Sequence, residues 1–236
     1  MASAAVETER RRWTLAVSGL LALLTVANVM SNRVLPGWAY VPWNLAVATA
    51  VFLVGRRVVR REDMGFTRWR RGLAWGLTLM VIIAAFLLAA VAMPAFHDLY
   101  RDRRVAPGLA TWLYQAFVRI PLGTAVLEET AFRAVLPAVL ARRFTLLRAT
   151  TLASLAFGLW HVLPAIGLNR VNPTATKLFG DGAGGIAVAV LFAVAGTLVA
   201  GLWLCWLRYR SGSILTPMLA HVGTNSLAYS IAHFVH

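Results

Sequence analysis

One cysteine, one lysine and nine acidic residues among 236 positions set the first limits on this chain. With Cys205 alone, no disulfide can form within the chain and a cysteine-based metal cluster is excluded. Its neighbours, Leu202, Trp203, Leu204 and Trp206, make it a lipid-facing or packing residue. Charged residues amount to 14% against 59% hydrophobic, which excludes an ordinary soluble domain. Three protease signatures are missing too. There is no HExxH zinc motif, Ser18-Gly19 lacks the glycine of a GxSG serine site, and Gly180-Asp181 lacks the first glycine of GxGD. Neither an internal repeat nor a polar low-complexity linker appears, so one helical domain is the simplest organisation.

What the chain has is a series of apolar runs. A helix rising 1.5 Å per residue needs about 20 such residues to cross a hydrocarbon core of roughly 30 Å. The runs are Trp13–Met30, Tyr40–Val54, Leu73–Phe96, Leu109–Leu140, Ala149–Leu168, Gly185–Leu207 and Ser213–Phe234. They predict an all-α, polytopic transmembrane bundle of about seven spans, with six to eight possible. The first run is too long for a signal-peptide core and no small-x-small cleavage site follows it directly, so it reads as an uncleaved span. The fourth is too long for one perpendicular helix and holds Pro121 and Pro137, which predicts a tilt, a kink or a re-entrant lead-in. Residues 169–181 read as an outer loop.

The net charge of +14 suggests nucleic acid, but the arginines cluster at the ends of apolar runs and not along one soluble face. They read as topology determinants that also meet anionic lipid headgroups, with no nucleic-acid partner. Fifteen arginines fall in the N-terminus and one set of loops, against six basic residues in the other set; the N-terminus is therefore expected on the cytoplasmic side. Most of the nine tryptophans lie near span ends and read as interfacial anchors. His97, His233 and His236 fall outside the spans or at their ends and read as solvated or interfacial.

Against this background Leu127-Glu128-Glu129-Thr130-Ala131-Phe132-Arg133 stands out, with three charges in six residues inside an apolar run. Each costs roughly 2.5 to 3.5 kcal/mol at bilayer depth, so each demands a partner, water or a task. Counted at 1.5 Å per residue from the nearest inner arginine, Glu128, His161, His221 and Asn225 lie roughly 16 to 22 Å deep, on three different spans. Residues four apart share a helix face, which pairs Glu129 with Arg133, Phe157 with His161 and His221 with Asn225. Glu129 and Arg133 can then neutralise each other while Glu128 faces the bundle centre.

These residues carry a resemblance. Glu128-Glu129-x-x-x-Arg133, Phe157-x-x-x-His161 and His221-x-x-x-Asn225, with Ser213-Ile214-x-x-Pro217 leading into the last, resemble the CPBP family over roughly Leu109 to Phe234. This is the family of CAAX-protease and bacteriocin-processing intramembrane proteases, also called Abi. It implies two parts, residues 1–108 with three variable spans and residues 109–236 as a four-span catalytic core. It implies that Glu128 is the catalytic glutamate and that His161 helps it activate water. His221 and Asn225 match the pair that stabilises the oxyanion, and Glu129 with Arg133 matches a supporting ion pair. The substrate it implies is a membrane-anchored peptide or protein, lipidated or CAAX-like.

Chemistry points the same way without the name. A glutamate withdrawn from water is a stronger base, and a nearby histidine can share its proton. Asn225 and His221 can donate to a tetrahedral oxyanion at low dielectric. The expected cofactor is none. The mechanistic alternative is zinc, held by Glu128, His161 and His221 with an open fourth position. Another class stays open as well: a scaffold or transporter using the polar bundle as a binding or proton-relay site, although a transporter should show paired repeats. The expected setting is an integral protein of a bacterial plasma membrane; one lysine against 22 arginines hints at a high-GC genome.

Overall fold

Apolar runs punctuated by proline and glycine fold into helices whose ends those residues mark. The computed structural model describes residues 2–102, 105 and 107–235, so His236 and part of the expected loop from Asp98 to Pro107 lie outside the described residues. Helix α1 spans Ala2–Val29 and runs on as a π turn at Met30–Val34, ending at Leu35, which the following Pro36 holds extended. Helix α2 covers Tyr40–Arg56 and α3 covers Trp69–Val91, which stops short of Pro94; a single turn, α4, follows at His97–Tyr100.

The fourth run is helical throughout but not uniformly α. It reads α5 Leu109–Tyr114, π Gln115–Ala125, α6 Val126–Glu129, π Thr130–Val135 and α7 Leu136–Leu140. Pro121 lies inside the first π segment and Pro137 follows the second. A proline has no N–H to give and its ring crowds the carbonyl four residues back, so the ladder slips to the wider turn on either side of the glutamates.

Thr145 accepts from the Arg148 N–H to cap α8, Leu146–Trp160, which breaks at His161 into α9, Val162–Ala165. The expected outer loop is itself helical, with α10 at Leu168–Val171 and α11 at Pro173–Phe179. There Asn169 is buried and donates to the Gly180 carbonyl at 2.7 Å. Helix α12 spans Ala183–Ser211 and closes on Gly212 at φ +72°, and α13 runs Leu215–Val235.

Among the described residues five helical stretches are long and apolar enough to cross a membrane: Val6–Val34, Gly37–Arg56, Trp69–Val91, Leu146–Ala165 and Ala183–Ser211. The fourth run and α13, expected as two more, do not join them. One is divided into short segments and the other is diluted by Thr216, His221, Asn225 and Ser226. They are the two that carry the glutamates and the His-Asn pair, and the first sits at the centre. Every residue from Leu127 to Leu140 is buried, packed by Leu20 and Leu24 of α1, Val47 and Val51 of α2, and Ala153 and Phe157 of α8.

Small residues let these helices approach. A Cβ on Gly76 of α3 would meet Leu219 of α13 at 2.5 Å, and one on Gly158 of α8 would meet the Val194 carbonyl of α12 at 2.8 Å. Arg208, expected as a topology arginine at a helix end, is instead buried. It donates to the Asp63 carbonyl and stacks on Tyr209, tying the arginine-rich loop after α2 to α12.

Candidate active site

Six side chains meet where α6, the second π segment, α8 and α13 pack together. Glu128 and Glu129 end α6, one turn before Arg133, and all three are buried. The expected pair forms, with Arg133 Nε 3.4 Å from Glu129 Oε2 and both side chains without solvent exposure. The guanidinium also lies over the Phe157 ring, 3.7 Å from its centroid. Among the described residues no aligned hydrogen bond reaches the guanidinium, so charge and the ring face hold it.

His221 joins the two glutamates. Its Nδ1 is 2.7 Å from Glu129 Oε1, and because a carboxylate only accepts, Nδ1 carries the proton. The other nitrogen, Nε2, lies 3.8 Å from Glu128 Oε2. Glu128 Oε1 accepts from the Trp160 indole at 3.0 Å, while Oε2 has no hydrogen-bond partner among the described residues. Sequence reasoning gave Trp160 no role at this site. The signal was available: Trp160 lies next to His161 in a span that must turn a donor inward, and a buried indole N–H seeks an acceptor.

His161 and Asn225 stand apart from this contact network. His161 is half-buried at the break between α8 and α9, its ring edge-on to Phe157 at 4.6 Å. Its Nδ1 is 2.8 Å from the Phe157 carbonyl, which fixes the proton on Nδ1 and leaves Nε2 as the basic nitrogen of the neutral ring. No hydrogen bond or ion pair joins it to either glutamate among the described residues. Asn225 is exposed, one turn past His221, in the wall of a cavity of about 620 Å³.

The zinc alternative required Glu128, His161 and His221 to converge. Among the described residues no group of three His, Cys, Asp or Glu side chains is placed to hold a metal ion. Cys205 is buried, with its thiol 3.7 Å from the Phe132 carbonyl, which makes it a packing residue.

Fold and site together define a helical integral membrane protein with a buried cluster of Glu128, His221, Glu129 and Arg133 at its core, joined by one hydrogen bond and by charge. The chain belongs to the type II CAAX prenyl endopeptidase Rce1-like family, whose model matches residues 110–227 and so includes every residue of that cluster. The family is one of proteases. No curated protein and no solved structure matches the chain.

Proposed function

We propose that this protein is an intramembrane endopeptidase that hydrolyses peptide bonds of membrane-anchored substrates, with Glu128 as general base. The observation that carries the reading is the His221 bridge. One imidazole faces both carboxylates, and the Glu129–Arg133 pair compensates one of them, leaving Glu128 Oε2 without a hydrogen bond among the described residues. A carboxylate so placed is available to take a proton.

In the proposed reaction Glu128 removes a proton from water as the oxygen attacks the scissile carbonyl. His161, basic at Nε2, shares that proton. The tetrahedral oxyanion is stabilised by the Asn225 amide and by His221, whose protonated ring is held by Glu129. Collapse breaks the C–N bond, and the proton from Glu128 passes to the leaving amine. The products are one carboxylate and one amine, and no metal is required. Residues 109–236 carry this chemistry and the three helices before them support it. The arginine distribution supports a cytoplasmic N-terminus, and the setting we propose is a bacterial plasma membrane. The substrate is a membrane peptide, lipidated or CAAX-like.

The test is cleavage of a membrane-anchored peptide library by purified protein. Wild type is expected to give products that Glu128→Gln and His161→Ala do not, and a strong chelator should leave the rate intact. Product patterns unchanged by Glu128→Gln would reject the protease in favour of a scaffold or transporter; loss on chelation restored by zinc would reject the metal-free scheme.

A further inference from the structure

Helix α3, the fourth run and α13 each have one end at arginines, and the interior is packed differently toward the two ends. Helix α3 begins with Arg70 and Arg71, the fourth run ends just before Arg142, and α13 begins shortly after Arg210. Toward those ends the interior is closed. Arg133, Leu136 and Val139 of the fourth run, Ile214 and Thr216 where α13 begins, and Leu207 of α12 are all buried. Toward the other ends lies the cavity of about 620 Å³, walled by Leu87 of α3, Tyr100 of α4, Gln115 and Arg119 of the first π segment, and Asn225 and Tyr229 of α13. Leu87 lies 16 positions past Arg71 and Asn225 lies 15 past Arg210, about 24 and 22 Å at 1.5 Å per residue.

Two walls of this cavity lead to the glutamates. On α13, Asn225 is one turn past His221, whose Nε2 is 3.8 Å from Glu128 Oε2. On the fourth run, the Arg119 guanidinium stacks on the Tyr40 ring at 4.2 Å, and the Tyr40 hydroxyl is 3.1 Å from Thr124 Oγ1, one turn before Glu128. The polar groups in those walls require water. Asn225 is exposed at bilayer depth, and Arg119 is only half-buried, its Nη1 bonded to Gln115 Oε1 at 3.4 Å. An amide or a guanidinium facing hydrocarbon at that depth is strongly disfavoured, so the cavity is an aqueous one. Hydrolysis also needs water at Glu128, and a site packed shut on the arginine side receives it from here.

Resting on the protease reading and on the orientation that the arginines support, we propose that this cavity is the entry vestibule of the active site and opens on the extracytoplasmic face. The substrate is then an extended juxtamembrane segment on the outer side of the bilayer, brought to Glu128 between the first π segment and α13. A cytoplasmic segment would meet the packed side instead. The cavity volume falls within the range of about 300 to 1,000 Å³ usual for ligand sites, which admits a few side chains of such a segment.

Cys205 is the single cysteine of the chain, so on a Cys205→Ala background one introduced thiol reports alone. Ala228→Cys places it in the cavity wall on α13, Leu87→Cys places it in the same cavity from α3, and Arg143→Cys marks the arginine-rich side. Each protein is treated with a membrane-impermeant sulfonated maleimide in spheroplasts and in inverted vesicles. Because only a hydrated thiol ionises to react, both cavity thiols are expected to label roughly 10-fold or more faster in spheroplasts, and Arg143→Cys in inverted vesicles. Labelled Ala228→Cys should also lose cleavage of a peptide held by an acyl chain in the exposed leaflet of spheroplasts. Cavity thiols that react from the same side as Arg143→Cys, or from neither side, would overturn the proposal. So would Arg143→Cys reacting in spheroplasts, or labelled protein that cleaves at the unlabelled rate. Cleavage that persists in Glu128→Gln would sink the protease reading alone, since the side on which the cavity opens is read from the labels.

Discussion

His221 donates through Nδ1 to Glu129 at 2.7 Å while its Nε2 faces Glu128 at 3.8 Å, so a single ring bridges adjacent glutamates. The orientation follows from the packing of α13 on α6. Glu129 orients the His221 ring through Nδ1, and Arg133 faces the other oxygen of Glu129. Losing Glu129 should therefore act through His221. Glu129→Gln is expected to lower kcat by roughly 10²-fold with a smaller change in KM, because the amide can accept from Nδ1 but cannot stabilise a protonated ring. A fall confined to KM, measured with a saturable peptide substrate, would refute that role.

Arg133 and Glu129 make a fully buried pair, and breaking such a pair costs more than replacing it. Arg133→Met leaves Glu129 uncompensated and should destabilise the protein by about 3–5 kcal/mol. The double variant Arg133→Met with Glu129→Gln should recover much of that loss while activity stays low. Thermal melts in detergent measure the first effect and peptide cleavage the second. Additive destabilisation in the double variant would mean that the two side chains are not coupled.

Trp160 gives Glu128 its hydrogen bond at 3.0 Å, and Trp160→Phe keeps an aromatic ring while removing the donor. The carboxylate then has neither oxygen hydrogen-bonded, a cost of about 1–3 kcal/mol for a buried acceptor. The expected result is a cleavage rate lowered by roughly tenfold or more. Trp160→His, which restores a ring N–H, should recover activity relative to Phe. Equal rates in all three proteins would leave Trp160 with a packing role only.

Much of this arrangement was legible in the sequence. Helical spacing paired Glu129 with Arg133 and set Glu128 on another face, because the backbone period alone determines which side chains share a face. The choice among polar groups on other helices was not legible. His221, expected as an oxyanion donor beside Asn225, contacts both glutamates, whereas His161, expected beside Glu128, bonds back to its own helix at Phe157. Depth counted along a helix cannot tell these apart, since rotation and the break at His161 decide where each ring points. Trp160 escaped notice for a related reason: only tertiary packing turns its N–H inward to Glu128. Among the described residues two of the seven expected runs are not apolar and continuous enough to count as spans, because polar residues and breaks thin the signal where the glutamates and His221 lie.

Gly158 brings α8 against the Val194 carbonyl of α12, where an added Cβ would stand 2.8 Å from backbone oxygen. A carbonyl inside a helix cannot swing aside as a side chain can. Gly158→Val should force the helices apart at a cost of about 1–3 kcal/mol and displace Trp160 and His161, which follow in the same segment. A lowered melting temperature together with reduced cleavage is the expected outcome; an unchanged melt would show that α8 and α12 separate freely.

Outside the spans, the Lys177 ammonium beside Asp98 holds that carboxyl below its ordinary 3.8 and ties α11 to α4. The hydrogen bond from Lys177 is the leading cause, its charge the next, and Arg101 adds to both. A carboxyl depressed in the folded state stabilises the fold fully above its unfolded pKa, and the contribution disappears as pH falls through the depressed folded value. The tie between α11 and α4 should accordingly be intact at neutral pH and weaken below about pH 4, the ordinary carboxyl range. Limited proteolysis or pulsed hydrogen exchange across residues 172–181 should show protection falling in acid for wild type. Asp98→Asn should show the lower protection at every pH, with no acid step of its own. An acid step that persists in Asp98→Asn would assign it to some other group.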